Sequence, residues 1–368
     1  MSTPPDNQQP PADLSEVRRL IDEIDDRLVE LISRRGRLAQ RIGELKAADG
    51  SPVYAPDRES EILQRICRLN PGPFPDSVLL AVYRELMSGS FALERPLRVA
   101  FLGPRGSFSH LAASGKFGAT VEYEPLSDIA AVFDEVQRGR ADFAVVPVEN
   151  SLGGGINETL DALLGSPLKV CAEINQRIRH NLLSRHPLRE IERVYSRPEI
   201  FDQCRRWLTE TGLADRTVAA ASSARAAELA AGQPHAAAIG STLAGELYGL
   251  PIQVANIEDN PNNVTRFFVL GDEPARRTGN DKTSILFTTA HKAGALVDVL
   301  SAFREHEVNL SMITSQPSRR NPWEYYFFVD AEGHADDAPL QAALATARRH
   351  CLHLRVLGSY PCARTASE

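Results

Sequence analysis

The chain has 368 residues, of which 43% are hydrophobic and 24% charged, and its formal net charge is -7 at pH 7. This balance is typical of globular proteins, and the length predicts two or three domains. The acidic net charge and the absence of a long basic block argue against a nucleic-acid-binding protein, and no apolar run is long enough to span a membrane.

The chain ends and the cysteines predict a cytoplasmic protein. Residues 1–12 lack a signal-peptide pattern and are expected to form a disordered lead. The five cysteines are scattered, odd in number and without a CxxC pair: Cys67, Cys171, Cys204, Cys351 and Cys362. We interpret them as reduced thiols, and we expect no zinc site, no other metal and no cofactor.

A long amphipathic helix is predicted from Asp13 to about Ala48. Its apolar residues recur at alternating spacings of three and four: Leu14, Val17, Ile21, Ile24, Leu28, Leu31, Leu38, Ile42 and Leu45. Asp13 followed by Glu16 resembles a capping box, and Asp49-Gly50-Ser51-Pro52 ends the pattern. A rod of about 54 Å is too long for two shorter helices, expected near 56–69 and 76–93, to cover. The expected solution is a homodimer, or a higher oligomer, in which two long helices pack together.

Arg35 occupies a position in this apolar stripe, between Leu31 and Leu38. A guanidinium there is costly unless an anion meets it, so it marks either a structural ion pair or a binding site for an acidic ligand. Lys46 follows on nearly the same face, about three turns later, and can converge on the same ligand. Arg18 lies about 25 Å away along the axis and can join only from a partner chain.

The segment from Leu14 to Glu94 resembles the all-helical chorismate mutases. The resemblance depends on these charged and polar residues: Arg18, Arg35, Lys46, Arg58-Glu59 and the pair Ser90 and Glu94. It implies that Arg35 and the partner subunit's Arg18 hold the two carboxylates of chorismate, while Lys46 donates to the ether oxygen. A pericyclic rearrangement needs no nucleophile or base, only a compact conformer and stabilisation of charge on the breaking C–O oxygen.

The remaining roles also follow from the resemblance, with two departures. Glu59 is implied to meet the ring hydroxyl, with Arg58 assisting and with Ser90 and Glu94 lining the far wall. Ala55 stands where some members carry an acidic residue, and Glu94 stands where some carry Gln. A carboxyl group can donate to the ether oxygen only when protonated, so mutase activity is expected to fall as pH rises and Glu94 loses its proton.

From Leu97 to about Asp272 the pattern alternates between strands and helices, which predicts a doubly wound α/β fold with two small lobes. Ser127 is the predicted N-cap of the helix SDIAAVFDEVQRG. The run Gly103-Pro104-Arg105-Gly106 lacks the middle glycine of a dinucleotide fingerprint, which argues against an NAD-dependent dehydrogenase.

Polar residues cluster just past the ends of the predicted strands. They are Ser107 and Ser109, Glu149-Asn150-Ser151, Ser196, and Ser241. Each one alone fits a turn or a helix cap, but four clusters at one edge of an open sheet predict a cleft for a small oxygen-rich ligand.

This segment resembles prephenate dehydratase along nearly its whole length. The strings that carry the resemblance are GPRGSFSH, VPVENS followed by TLD, YSRPEIFDQC, AAAIGS, LYGL and NIEDNPNNVTRF. It implies that Thr265 is the main catalytic hydroxyl, with Arg266 beside it, in the conversion of prephenate to phenylpyruvate. It also implies that four further residues bind or orient prephenate: Glu149, Asn150, Ser196 and Gln203.

The C-terminal segment predicts a β-α-β-β-α-β ferredoxin-like module after a polar linker. It resembles the ACT regulatory domains. The resemblance implies that phenylalanine binds at a domain–domain interface through Gly294, Ala295, Leu296, Val297 and Ser315. The second effector motif of that family is E-S-R-P, whereas this chain has Thr314-Ser315-Gln316-Pro317.

The sequence therefore predicts three domains in a bifunctional enzyme of phenylalanine biosynthesis. The expected parts are a disordered lead (1–12), an all-α chorismate mutase bundle in a helix-swapped dimer (13–95), a two-lobed α/β prephenate dehydratase domain (96–272), a linker (273–282) and an α+β ACT domain (283–362). Two alternatives stay open: a dehydratase with a non-catalytic helical dimerisation module, and a two-lobed sensor of a small ligand.

Overall fold

The computed structural model describes residues 13–49, 52–317 and 325–363. The expected lead, with Gly50 and Ser51 of the predicted helix end, lies outside the described residues. No helix in the described ranges is long and apolar enough to cross a membrane. All five cysteines are free thiols, and burial raises the pKa of Cys171 and Cys204 to about 12, as expected of inert structural thiols.

Three helices form the N-terminal segment, with the bounds that the apolar spacing predicted to within two residues. They are α1 (Leu14–Asp49), α2 (Pro56–Leu69) and α3 (Asp76–Glu94). Asp13 caps α1, because its Oδ1 accepts a hydrogen bond from the Glu16 amide at 2.9 Å. The apolar stripe of α1 stays exposed in the single chain, with Leu31 58% and Leu38 60% accessible. An apolar surface of this length is characteristic of a face that another chain covers.

The central segment contains two sheets with helices around them. Its first part has β1 (Arg98–Leu102), α4 (Phe108–Phe117), β2 (Glu122–Leu126), α5 (Ile129–Gln137), β3 (Phe143–Asn150), β4 (Gly154–Gly155), α6 (Asn157–Gly165) and β5 (Lys169–Arg177). Its second part has β6 (Asn181–Leu183), β7 (Arg193–Ser196), α7 (Pro198–Gln203), α8 (Arg205–Glu210), β8 (Thr217–Ala219), α9 (Ser223–Ala231), β9 (Ala236–Gly240), α10 (Thr242–Tyr248), β10 (Ile252–Val254) and β11 (Val264–Gly271).

The strand order confirms the two lobes. One sheet has the order β2-β1-β3-β11-β5, with β4 beside β3, and the other has the order β10-β6-β9-β7-β8. The last strand, β11, returns to the first sheet and lies antiparallel between β3 and β5. This return places Thr265 directly opposite Asn150, although the two are far apart in the sequence.

One local prediction for this segment was wrong. The N-cap of α5 is Asp128 and not Ser127, because the Asp128 carboxylate accepts from the Ala131 amide at 2.9 Å while Ser127 donates to that same carboxylate. Farther along the chain, the backbone of Cys204 leaves the helical region and separates α7 from α8.

The C-terminal segment has the predicted β-α-β-β-α-β order. Its elements are β12 (Asp281–Thr288), α11 (Ala295–Glu305), β13 (Leu310–Pro317), β14 (Tyr325–Glu332), α12 (Ala338–Arg348) and β15 (His353–Pro361). The sheet is antiparallel with the order β13-β14-β12-β15. The segment expected as a linker already contributes Asp281 and Lys282 to β12, and its Ala275 is buried.

The C-terminal sheet packs directly on the first lobe of the central segment. Leu286, Phe328 and Leu357 share one apolar core with Val170 and Leu163 of that lobe. Gly358 lies against the backbone of β5, where an added Cβ would come within 2.0 Å of the Val170 oxygen. Only glycine allows this approach, so the two sheets are held in close contact.

Candidate functional site

Arg35 lies half-buried between α1 and α3 and donates from Nη1 to Ser90 Oγ at 2.5 Å and to the Leu86 carbonyl at 3.1 Å. No carboxylate among the residues that the structure describes forms an ion pair with it. The structural ion pair is therefore not found among these residues. A half-buried cation whose contacts in this part of the chain are neutral oxygens is suited to an acidic ligand.

Lys46 and Glu94 meet at the other end of the same helix pair. Lys46 Nζ lies 3.1 Å from Glu94 Oε2 and also donates to the Val53 carbonyl at 2.7 Å. The approach is close because residue 43 is glycine: an added Cβ there would come within 2.9 Å of Glu94 Cα. The structure thus brings together Lys46 and Glu94, which the sequence had placed on two sides of one ligand.

Glu59 is buried at the start of α2, and two side chains contact its carboxylate at Oε2. The Tyr54 hydroxyl donates to that oxygen at 2.7 Å, and Lys116 Nζ lies 2.6 Å from it. Lys116 belongs to α4 of the central segment, so the sequence had given no reason to connect it with this group. Burial, followed by the charge of Glu59, raises the pKa of Tyr54 well above its usual value, and its hydroxyl is a donor at neutral pH.

Two other predicted residues lie away from these contacts: Arg18 is exposed on α1, and Arg58 is exposed and paired with Glu61 at 2.8 Å. Ala55, where some family members carry an acidic residue, is the N-cap residue of α2 and offers no side-chain hydrogen bond. Within one chain, Arg35 with Ser90 and Lys46 with Glu94 thus line the contact between α1 and α3, which we call the α1–α3 groove, and Glu59 lies at the start of α2.

The second cluster lies where β3 ends and the antiparallel strand β11 begins. Asn150 Nδ2 donates to Thr265 Oγ1 at 2.8 Å and to Asn263 Oδ1 at 2.9 Å. The Asn150 side-chain amide cannot rotate by 180° without losing hydrogen bonds, because its Oδ1 accepts from the backbone amides of Leu152 and Gly153, both at 3.0 Å. Since the Thr265 oxygen already accepts, its own proton remains available to a ligand.

Gln203 extends this cluster and introduces a residue that the sequence analysis missed. His180 Nε2 lies 2.7 Å from Gln203 Oε1, and Asn263 Nδ2 lies 3.5 Å from the same oxygen. A carbonyl oxygen only accepts, so His180 carries its proton on Nε2. Its Nδ1 is buried without a partner among the described residues, and burial lowers the pKa of the ring. His180 lies in the short connection between β5 and β6, directly before Asn181, and its place close to a strand end was the available signal.

The serines of the predicted polar row have structural partners. Ser107 and Ser241 cap α4 and α10, and Ser241 Oγ also donates to the Gly106 carbonyl at 3.0 Å across the two lobes. Ser196 is fully buried and donates to the Ile239 carbonyl at 3.0 Å. Ser109 is buried in α4. In two of the four clusters, a serine is therefore a helix cap. The predicted cleft then depends on Asn150 and its neighbours.

Arg266 does not join Thr265, because neighbouring residues of a strand face opposite sides of a sheet. Its guanidinium donates to Glu173 Oε2 at 2.8 Å, to the Tyr360 hydroxyl at 2.9 Å and to Asp330. Burial would lower the pKa of Arg266, but Tyr360, Asp330 and Glu173 outweigh burial and raise it. Glu149 lies 3.9 Å from the guanidinium at the edge of this group. Arg266 therefore links β11 to the C-terminal sheet.

The predicted effector loop lies at the start of α11. Gly294 adopts a left-handed conformation with φ +82°, which favours glycine at that position. A cavity of about 130 Å³ lies beside the loop, bordered by His291, Ala295, Leu296, Tyr325 and Phe327. Val297 is 64% accessible, and Ser315 is exposed on β13. The predicted effector loop thus borders a small cavity and is itself partly exposed.

Family profiles match three consecutive parts of the chain. Chorismate mutase type II matches residues 17–95, prephenate dehydratase matches residues 99–275 and the ACT domain matches residues 283–349. A protein of Aquifex aeolicus (strain VF5), described as a bifunctional chorismate mutase/prephenate dehydratase, is 41% identical over 354 residues, which is 95% of this chain and 98% of that protein.

Two solved structures share the fold of the central and C-terminal segments. The prephenate dehydratase of Arthrobacter aurescens in complex with L-Phe is 34% identical with a TM-score of 0.67, covering 72% of this chain and 90% of that one. A protein described as GqqA, a novel type of quorum quenching acylase, is 30% identical with a TM-score of 0.67, covering 72% of this chain and 98% of that one.

Proposed function

The chain belongs to the family of bifunctional chorismate mutases/prephenate dehydratases with an ACT regulatory domain, and we propose how its residues divide the two reactions. The α1–α3 groove rearranges chorismate to prephenate. The Asn150–Thr265 cluster converts prephenate to phenylpyruvate. The C-terminal domain binds phenylalanine as the feedback effector.

In the mutase site, Arg35 binds one carboxylate of chorismate. The half-buried guanidinium, which has no carboxylate partner in the described part of the chain, is the observation that carries this assignment. Lys46 stabilises the negative charge that grows on the ether oxygen, and Glu59 accepts from the ring hydroxyl. Ser90 orients Arg35, and Glu94 lies beside Lys46 at the far wall. Arg58, exposed in the single chain, assists only after a partner chain closes the groove.

The mutase site is completed by a second chain. Arg18 is about 25 Å from Arg35 along α1, so one chain cannot bring both to a small ligand. The exposed apolar stripe of α1 supports a homodimer whose long helices pack together. In that dimer Arg18 of one chain meets the other carboxylate of the chorismate bound to Arg35 of its partner.

In the dehydratase site, Thr265 donates a proton to the ring hydroxyl of prephenate. The hydroxyl leaves as water, the bond between the ring and its carboxylate breaks, and the electron pair of that bond completes the aromatic ring as CO₂ departs. Asn150 fixes the Thr265 oxygen, and Gln203 offers its amide nitrogen to the substrate because its oxygen is occupied by His180. Glu149 lies at the rim of the dehydratase site. Ser196, buried at the end of β7, supports the site through its hydrogen bond to the Ile239 carbonyl.

Phenylalanine binds beside Gly294, Ala295, Leu296 and Val297, with Ser315 nearby on the same sheet. The cavity next to this loop and the solved relative with L-Phe bound support the assignment. The cytoplasmic location expected from the scattered cysteines stays a prediction.

Purified full-length protein fed with chorismate tests the proposal directly. We expect prephenate to appear first and phenylpyruvate to follow, and we expect phenylalanine to slow the second step. Consumption of added prephenate without consumption of chorismate would favour the alternative of a non-catalytic helical module. Binding of prephenate without turnover would favour the sensor.

A further inference from the structure

A charged side chain of the dehydratase domain contacts Glu59 of the mutase segment. Lys116, in the last turn of α4, places Nζ 2.6 Å from Glu59 Oε2. The side chains of Lys116 and Glu59 are 22% and 8% accessible, so water screens their interaction only weakly. Tyr54 donates to the same oxygen at 2.7 Å. Glu59 is thus held by one residue of its own domain and one residue of the next.

This contact belongs to a closely packed boundary between the two domains. The Tyr54 ring contacts Phe91, Phe117 and Phe143 edge to face, with centroids 5.8, 4.9 and 5.2 Å away. Gly118 follows α4 with φ +79°, and an added Cβ there would come within 2.6 Å of Ser88 Cβ. The end of α4 is therefore fixed against α3, and Lys116 does not depend on a mobile loop for its position.

We infer that Lys116 is a positioning residue of the mutase reaction, supplied by the dehydratase domain. Within the described residues, both side-chain contacts of Glu59 fall on Oε2, and Oε1 can accept a hydrogen bond from the ring hydroxyl of chorismate. Fixing one oxygen of a carboxylate orients the other before the substrate arrives. This inference relies on the proposed role of Glu59.

The position of Lys116 within α4 provides an internal control. The helix has ten residues, and its first residue, Phe108, packs edge to face on His180 of the dehydratase cluster. The two ends of α4 are about 15 Å apart. Replacing Lys116 at one end is therefore expected to leave the dehydratase reaction at the other end unchanged, and dehydratase activity reports correct folding.

The test uses the full-length chain with three single variants. Lys116→Met is expected to lower the mutase kcat about tenfold or more, with a smaller change in KM, because Glu59 loses one of the two contacts that orient it before the reaction. Lys116→Arg is expected to recover most of that loss. Thr120→Val is the matched control: Thr120 bonds Ser88 at 2.8 Å across the same boundary without touching Glu59. It is expected to leave mutase activity within about twofold of the parent.

A double variant separates this inference from the role of Glu59. Glu59→Gln is expected to slow the mutase reaction, and Lys116→Met in that background is expected to add little, because the two residues act as one unit. A slow Glu59→Gln beside a fully active Lys116→Met overturns the inference alone. Equal losses in Lys116→Met and Thr120→Val also overturn it, since the boundary alone would then matter. An unaffected Glu59→Gln overturns the role of Glu59 and the inference together.

Discussion

Asn150 donates a hydrogen bond to Thr265 Oγ1 over 2.8 Å, across two antiparallel strands. The backbone amides of Leu152 and Gly153 hold the Asn150 amide in the orientation that makes it the donor. The Thr265 oxygen is therefore an acceptor towards the protein, and its proton is directed to the ligand.

The first prediction concerns Thr265. Thr265→Val keeps the shape of the side chain and removes the proton, so we expect the dehydratase kcat to fall by about 10²- to 10⁴-fold. Thr265→Ser keeps the hydroxyl and is expected to retain much more activity. Steady-state kinetics with prephenate measures both. Equal losses in the two variants would show that the methyl group, and not the proton, matters.

The second prediction concerns Glu94. A Glu94 carboxyl group can donate to the ether oxygen only in its protonated form, whereas a Gln amide donates in every state. Glu94→Gln donates at every pH and also releases Lys46 from the ion pair at 3.1 Å. We therefore expect the variant to keep its activity at high pH. The measurement is kcat/KM for chorismate between pH 6 and pH 9. Superimposable profiles of the two proteins would refute a proton-donating Glu94.

The third prediction concerns the two chains of the mutase site. Arg18→Met and Arg35→Met are each expected to lack mutase activity. In a mixed dimer, however, one groove receives an intact Arg35 and an intact Arg18 from different chains. Unfolding and refolding equal amounts of the two variants together should therefore restore about a quarter of the wild-type activity. No recovery, although mixed dimers form, would argue against sharing between chains.

The fourth prediction concerns the pH dependence of stability. Burial lowers the pKa of His180 below its usual 6.5, although Gln203 and Glu258 act in the opposite direction. Below pH 6.5 the His180 ring takes up a proton in the unfolded chain, whereas in the folded chain it stays neutral to a lower pH. The free energy of unfolding therefore falls as pH decreases through 6.5.

His180→Gln removes this group while keeping a donor for Gln203. Between pH 7.5 and pH 5.5, the Tm of this variant is expected to decrease less than that of the wild type. Identical decreases would mean that the folded protein does not resist protonation of His180.

The fifth prediction concerns the link between the dehydratase strand and the regulatory sheet. Asp330→Asn weakens its bond to Arg266 at the domain boundary, so we expect phenylalanine to inhibit less while the uninhibited dehydratase rate changes little. Glu332→Gln removes the same charge from an exposed position of β14 and is the control. Inhibition curves at several phenylalanine concentrations measure the effect. Unchanged inhibition in Asp330→Asn would show that the contact between Arg266 and Asp330 does not take part in inhibition by phenylalanine.

Local patterns predicted the parts of the fold that depend on neighbouring residues. The spacing of apolar residues predicted α1 and its two partners, and the alternation of strands and helices predicted the two lobes and the C-terminal module. The cap at Asp128 was missed because Ser127 and Asp128 are both good caps, and only geometry decides between them.

The chemistry of the sites was harder to predict, because its contacts join residues far apart in the sequence. No local pattern connects Lys116 with Glu59, which meet only because the fold brings the end of α4 to the start of α2. The role of Arg266 towards prephenate stays a prediction, although its contacts join it to the C-terminal sheet. Thr265 and Arg266 are consecutive in a strand, and alternation alone places them on opposite faces.

The central claim is that one chain carries two separate active sites used in succession. Purified wild type, Arg35→Met and Thr265→Val, each given chorismate and then prephenate, test it most directly. We predict that Thr265→Val converts chorismate to prephenate near the wild-type rate and stops there. Arg35→Met should leave chorismate untouched yet convert added prephenate to phenylpyruvate. Loss of both reactions in either folded variant, or phenylpyruvate formed from chorismate by Thr265→Val at the wild-type rate, would contradict the account.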